Sequence, residues 1–194
     1  MALFINIESN SEPGINHLGR ALRQLQDQVA ATGADDVLAE RAAIAIDEIN
    51  ALLDPVRYIA ARDRGWDDTQ RARGSRTLNP AYLTREVTRD SFVATVNFGS
   101  FYLGGNGAVH GGAIPLLFDQ VLGQLANFER PICRTAYLNV DFRNVTPLDT
   151  DLEVRANFES IEGRKRFTYG ALYHGKILTA EARALFIELK EGAA

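Results

Sequence analysis

His110-Gly111-Gly112, followed nine residues after the histidine by Asp119, is the part of this sequence whose residue types and spacing could do chemistry. From Ala113 to Phe128 the periodicity predicts a helix that is apolar on nearly every face: Ile114, Leu116, Leu117, Phe118, Val121, Leu122, Leu125 and Phe128. A helix hydrophobic all round is a buried one, and an unpaired carboxylate in its middle is costly. On the helical period Asp119 shares its stripe with Gly112, Pro115, Gly123 and Ala126. Those small or compact residues would let another chain, or a ligand, approach the carboxylate. The helix opens on His-Gly-Gly, so unpaired backbone N–H groups and a positive dipole end lie one to two turns before Asp119. An end that polarises oxygen is thereby coupled to an acid or base.

The elements that must position these groups fall into two sets. Ile15, Leu18, Leu22, Leu25 and Val29 recur at helical spacing, and Leu38, Ala42, Ile46, Ile49 and Leu53 repeat the pattern after a break at Thr32-Gly33-Ala34-Asp35. Asp35 reads as an N-cap and Asp54-Pro55 as a stop. Residues 1–60 are therefore expected to be a helical hairpin extension, serving as a lid or a dimer-packing element. It is acidic overall and lacks a basic recognition helix, unlike a DNA-binding pair. Residues 61–80, charged and without periodicity, are expected to be a linker, with Trp66 a packing anchor. From about residue 81 to 194 the period is mostly two. A strand carries Phe92, Ala94, Val96 and Phe98, and the Gly-rich run 99–107 leads into the central helix. Four strand-like runs follow Pro131, the first with Ala136, Leu138, Val140 and Phe142 on one face and Thr135, Tyr137, Asn139, Asp141 and Arg143 on the other. Short turns between these runs predict an antiparallel meander wrapped on one helix, an α+β fold.

Composition narrows the class of protein. The formal net charge of −4 argues against nucleic acid as a partner. Cys133 is the single cysteine, so no internal disulfide forms and a reducing, cytoplasmic setting is expected. No apolar run is long enough to span a membrane, and Met1 to Asn10 lacks a basic n-region. Three scattered histidines and one cysteine offer no metal-ligand spacing.

With the Gly-Ala-Val-His-Gly-Gly-Ala run, Asp119, the Thr135-Ala136-Tyr137-Leu138-Asn139-Val140-Asp141-Phe142 strand, Thr146-Pro147-Leu148 and the closing Ala182-Arg183-Ala184-Leu185-Phe186, residues 80–190 resemble the hotdog-fold acyl-CoA thioesterases. The likeness points to the branch holding the phenylacetate-pathway thioesterases and the human thioesterase superfamily members. It implies a homodimer, at times a dimer of dimers, with active sites at the subunit interface. The N–H of Gly111 or Gly112 would hold the thioester carbonyl. Asp119 from the other subunit would act as general base or nucleophile, and Thr135 would position the water or the thioester. The phenylacetate branch places an Asn six residues before the histidine. This chain has Gly104 there, with Asn106 nearby. No cofactor is implied beyond coenzyme A as part of the substrate.

Those roles are chemically sufficient. Thioester hydrolysis needs a polarised carbonyl, supplied by backbone N–H groups, and an activated water or attacking carboxylate. Thiolate leaves without much acid assistance, and burial beside apolar neighbours would make Asp119 a better base. His110 reads as a loop-fixing residue or a proton-transfer group. Arg143, Asn144, Arg164 and Lys165 are candidates for coenzyme A phosphates, although basic turns are commonly just solvated. Tyr102, Phe118, Phe128 and Tyr137 are candidates for the acyl tunnel. Cys133 has no histidine at nucleophile spacing. Rival readings are a non-catalytic acyl-CoA binder of the same fold and a structural subunit docking through its N-terminal helices. Hydratases fit less well, because their Asp-x-Asn-Pro-x-His type of motif is absent.

Overall fold

The computed structural model describes residues 14–54 and 78–190. The expected linker therefore lies outside the described residues except for its last three positions, and Trp66 lies outside them too. Helix α1 spans Gly14–Ala31, α2 Asp36–Leu53 and α3 Ala113–Asn127. Strands β1 (Tyr82–Val87), β2 (Ser91–Val96), β3 (Cys133–Phe142), β4 (Leu152–Glu162), β5 (Lys165–His174) and β6 (Ile177–Glu188) form one antiparallel sheet in the order β1-β2-β4-β5-β6-β3. The sheet curls around α3, the hotdog arrangement. Ile114, Leu117, Phe118, Val121, Leu122 and Leu125 of α3 meet Phe92, Ala94, Val96, Val154, Leu172, Ala182 and Phe186 in one core. Gly170 of β5 makes this approach possible. A Cβ there would lie 3.0 Å from Phe118 Cδ1 and 3.1 Å from Leu122 Cδ2.

Three features depart from the sequence reading. Strand β1, short and interrupted by a register shift between Thr84 and Glu86, carries too little alternation to announce itself. Strand β3 does not join the meander β4-β5-β6. It crosses to the far edge and, among the described residues, pairs only with β6, because α3 must be covered on that side. The third concerns the first two helices. Both form, with Asp35 Oδ1 accepting the Leu38 N–H as an N-cap at 2.8 Å. Yet α1 buries Asn16 and Gly19 and half-buries Arg23, Leu25, Gln26 and Asp27, leaving Leu18, Leu22 and Val29 exposed, and α2 buries none of its side chains. Backbone groups of the domain are what α1 satisfies. Arg23 Nη2 donates to the Asn79 carbonyl at 3.2 Å, and Asp27 Oδ1 accepts the Phe101 N–H at 2.8 Å. Among the described residues, no helix is long and apolar enough to cross a membrane.

Candidate active site

Asp119 and Thr135 come together as a pair. Thr135 Oγ1 donates to Asp119 Oδ1 at 2.8 Å. The alternation of β3 placed Thr135 with Tyr137, Asn139 and Asp141, and the structure moves it to the opposite face. The register jumps from Thr135↔Phe186 to Tyr137↔Leu185, so Ala136 is the extra residue of a β-bulge. A bulge reverses the parity of everything before it. Thr135 thereby joins Cys133 on the face looking at α3, while Tyr137, Asn139 and Asp141 look away. Asp119 itself is exposed in the single chain, not buried as the apolar helix suggested. Its near neighbours on α3 include Gln120 and Gln124, which accept from Asn79 Nδ2 at 2.8 Å and the Tyr82 hydroxyl at 2.6 Å. One side of the helix is therefore polar. At Gly123 the close approach comes from the chain's own Phe186 ring, 3.3 Å from where a Cβ would stand.

The helix entrance is built around His110. Its N–H donates to the Tyr102 carbonyl at 2.7 Å, and the neighbouring Val109 N–H donates to Thr146 at 2.9 Å. Gly104 passes so near that a Cβ would sit 2.7 Å from His110 Cα. A side chain is excluded there, which accounts for glycine at the position where the phenylacetate branch has Asn. The imidazole folds back on its own segment, and the Gly112 N–H donates to His110 Nδ1 at 3.0 Å. That nitrogen must be unprotonated to accept, so a neutral ring carries its proton on Nε2. The two expected oxyanion donors are thus unequal. Gly112 N–H is engaged, and the Gly111 N–H has no acceptor among the described residues. Burial pushes the Tyr102 phenol up, with Arg23 opposing and Asp27 reinforcing the shift.

The phosphate candidates are placed at two ends. Arg143 and Asn144 follow β3 close to the helix entrance, where the Phe142 ring lies 3.8 Å from a Cβ at Gly111. Arg143 is paired with Glu181 at 2.6 Å and Asp141 at 3.0 Å, and Asn144 Nδ2 donates to the Leu178 carbonyl. Arg164 and Lys165 lie at the opposite end of β6, with Arg164 Nη1 on the Glu188 carbonyl at 2.9 Å. Residues 181 to 188 of an extended strand separate the two groups by roughly 24 Å within one chain. Asn106, with φ of 56°, occupies a left-handed turn that Asn tolerates. Cys133 is buried, and burial pushes its thiol up, away from the thiolate a nucleophile needs.

Residues 106–181 match the family described as the thioesterase superfamily. The acyl-coenzyme A thioesterase THEM4 of Rattus norvegicus is 40% identical over 85 residues, covering 43% of this chain and 36% of that protein. The match thus spans little more than a third of that relative's length. Among solved structures, the thioesterase superfamily protein RHA08564 superposes with a TM-score of 0.79 at 24% identity, over 96% of this chain and 95% of that one. The likeness therefore extends past the domain to the N-terminal helices. A hypothetical thioesterase protein of Streptococcus pneumoniae, solved with coenzyme A, has a TM-score of 0.53 at 16% identity, over 55% of this chain and 87% of that one. A protein of the same description is also solved with Ala replacing an Asp and, separately, a Thr sixteen positions later.

Proposed function

We propose that this chain is an acyl-CoA thioesterase, hydrolysing an acyl-CoA to the free acid and coenzyme A in sites shared by two copies. The observation that carries this is the Thr135–Asp119 hydrogen bond beside a helix entrance whose Gly111 N–H has no acceptor among the described residues. Asp119 activates water or attacks the carbonyl itself, Thr135 orients its carboxylate, and Gly111 N–H stabilises the developing oxyanion. The names of the relatives support the activity, and the coenzyme A in the pneumococcal structure supports the substrate class. Asp119 and Thr135 are themselves sixteen positions apart, the spacing of the two residues replaced in that protein.

Distance argues for the second copy. Eight residues of helix rise put Asp119 on the order of 10 Å from Gly111 along the axis, too far for both to touch one carbonyl. Strand β3 runs alongside α3, with Thr135 by Asp119 and Phe142 by Gly111, and its outer edge is unpaired among the described residues. Antiparallel pairing of two β3 edges sets the Asp119 end of one copy beside the Gly111 end of the other. It also brings Arg164 and Lys165 of one copy to the end that holds Arg143 and Asn144 of the other, a basic rim for phosphates. The test is thiol release from acyl-CoAs running from acetyl and phenylacetyl to palmitoyl. Asp119→Asn is expected to lower kcat about a hundredfold or more. Equal rates would overturn the reading. Ligand-induced stabilisation without turnover by the wild type would favour a non-catalytic binder.

A further inference from the structure

Helix α1 lies outside the thioesterase-superfamily segment, yet its inward face is wired to both halves of the candidate site. It packs on the 3-10 turn Ser100–Tyr102. Asp27 Oδ1 accepts the Phe101 N–H at 2.8 Å, an anionic cap delivered from another helix to the first turn of this one. The same turn presents the Tyr102 carbonyl, which takes the His110 N–H at 2.7 Å. From His110 the path continues through the ring to the Gly112 N–H and encloses the Gly111 N–H, which has no acceptor among the described residues. A second strut runs from Arg23 to the Asn79 carbonyl and from Asn79 Nδ2 to Gln120, the residue after Asp119.

Gly99 shows how closely the helix is fitted. Its φ of −75° suits any residue, so nothing in the backbone demands glycine. A Cβ there would stand 2.5 Å from both Asp27 carboxylate oxygens. Side-chain space at 99 has been surrendered to let the carboxylate reach the turn. A helix held only by apolar contact would not need this, and α1 keeps Leu22 and Val29 out in solvent.

We propose that Asp27 is a positioning residue for the helix entrance. By fixing the 100–102 turn it fixes the carbonyl that anchors His110, and so aims the Gly111 N–H. This rests on the reading that Gly111 polarises the thioester. The test uses the full chain and four variants: Asp27→Ala, Asp27→Asn, Gly99→Ala and the double variant Asp27→Ala/Gly99→Ala. Loss of one such hydrogen bond is expected to lower kcat about three- to tenfold with KM held within about twofold. Asp27→Asn keeps an acceptor oxygen and restores most of the rate. Gly99→Ala displaces the carboxylate and matches Asp27→Ala, and the double variant is no slower than either single one. Unchanged kcat in Asp27→Ala, a change confined to KM, or losses that multiply in the double variant would each overturn the proposal. A readout without substrate separates it from the functional reading. The amide resonances of Gly111 and Gly112 should move in Asp27→Ala, whether or not the wild type hydrolyses anything. If they stay in place, the coupling does not exist. If they move while Asp119→Asn remains fully active, the coupling stands and the thioesterase mechanism falls.

Discussion

His110 Nδ1 accepts the Gly112 N–H, and this contact distinguishes two roles that sequence left open. As a proton-transfer group the imidazole would be irreplaceable. As a local acceptor it can be imitated, because the Oδ1 of Asn occupies nearly the place of Nδ1. His110→Asn is therefore expected to keep most of the rate and His110→Ala to lose about tenfold, the worth of one hydrogen bond at the site. Equal, severe losses in both would restore the proton-transfer role. The residues of the candidate site stand out in the sequence because each is chemically conspicuous: a carboxylate in an apolar helix, and two glycines after a histidine. Asp27 does not, since it sits among polar residues of an amphipathic helix where any carboxylate would pass as solvated. Only its contact with Phe101 distinguishes it.

The elements were legible where one period runs unbroken, as in α3, and in β4 to β6 apart from local shifts. They were obscure where a single insertion breaks the count. Ala136 is an ordinary strand residue in composition, and nothing in its neighbours marks a bulge. Alternation therefore gave the correct faces for Leu138 to Phe142 and the wrong one for Thr135. The sheet-to-helix contact is a packing constraint that can be measured. Gly170→Ala brings a methyl within about 3 Å of Phe118 and Leu122 and is expected to destabilise the fold by about 1–3 kcal/mol, read as a lower denaturant midpoint. On the outer face, Tyr169 donates to Glu181 Oε2 at 2.6 Å. Burial first, and then this hydrogen bond, push its phenol from 10.0 up to about 12. A raised acid favours the folded state while protonated. That contribution is whole below about pH 10 and is lost as pH climbs toward 12. Tyr169→Phe should lower the midpoint at neutral pH and flatten its decline across that alkaline window.

For the molecule as a whole, the separation of Asp119 from Gly111 predicts complementation between inactive chains. Asp119→Asn lacks the proposed base or nucleophile, and Gly111→Pro lacks the N–H. If sites are shared, equal mixing after subunit exchange places an intact Asp119 opposite an intact Gly111 in one site of each mixed dimer. Roughly a quarter of the wild-type activity should return. Sites contained within one chain would give none. The exposed edge of β3 has a further consequence, for synthesis. Among the described residues, β3 is laddered only to β6, the last described strand. Chains emerge from the ribosome N-terminus first, at about 5–20 residues per second. Asp119 is thus exposed to the cell, with Thr135 unanchored beside it, for the seconds before Ile177–Glu188 follow. On the proposed mechanism, catalytic competence is then the last property the domain acquires. Proteolytic nicking within β6 should abolish it while leaving every site residue in the chain.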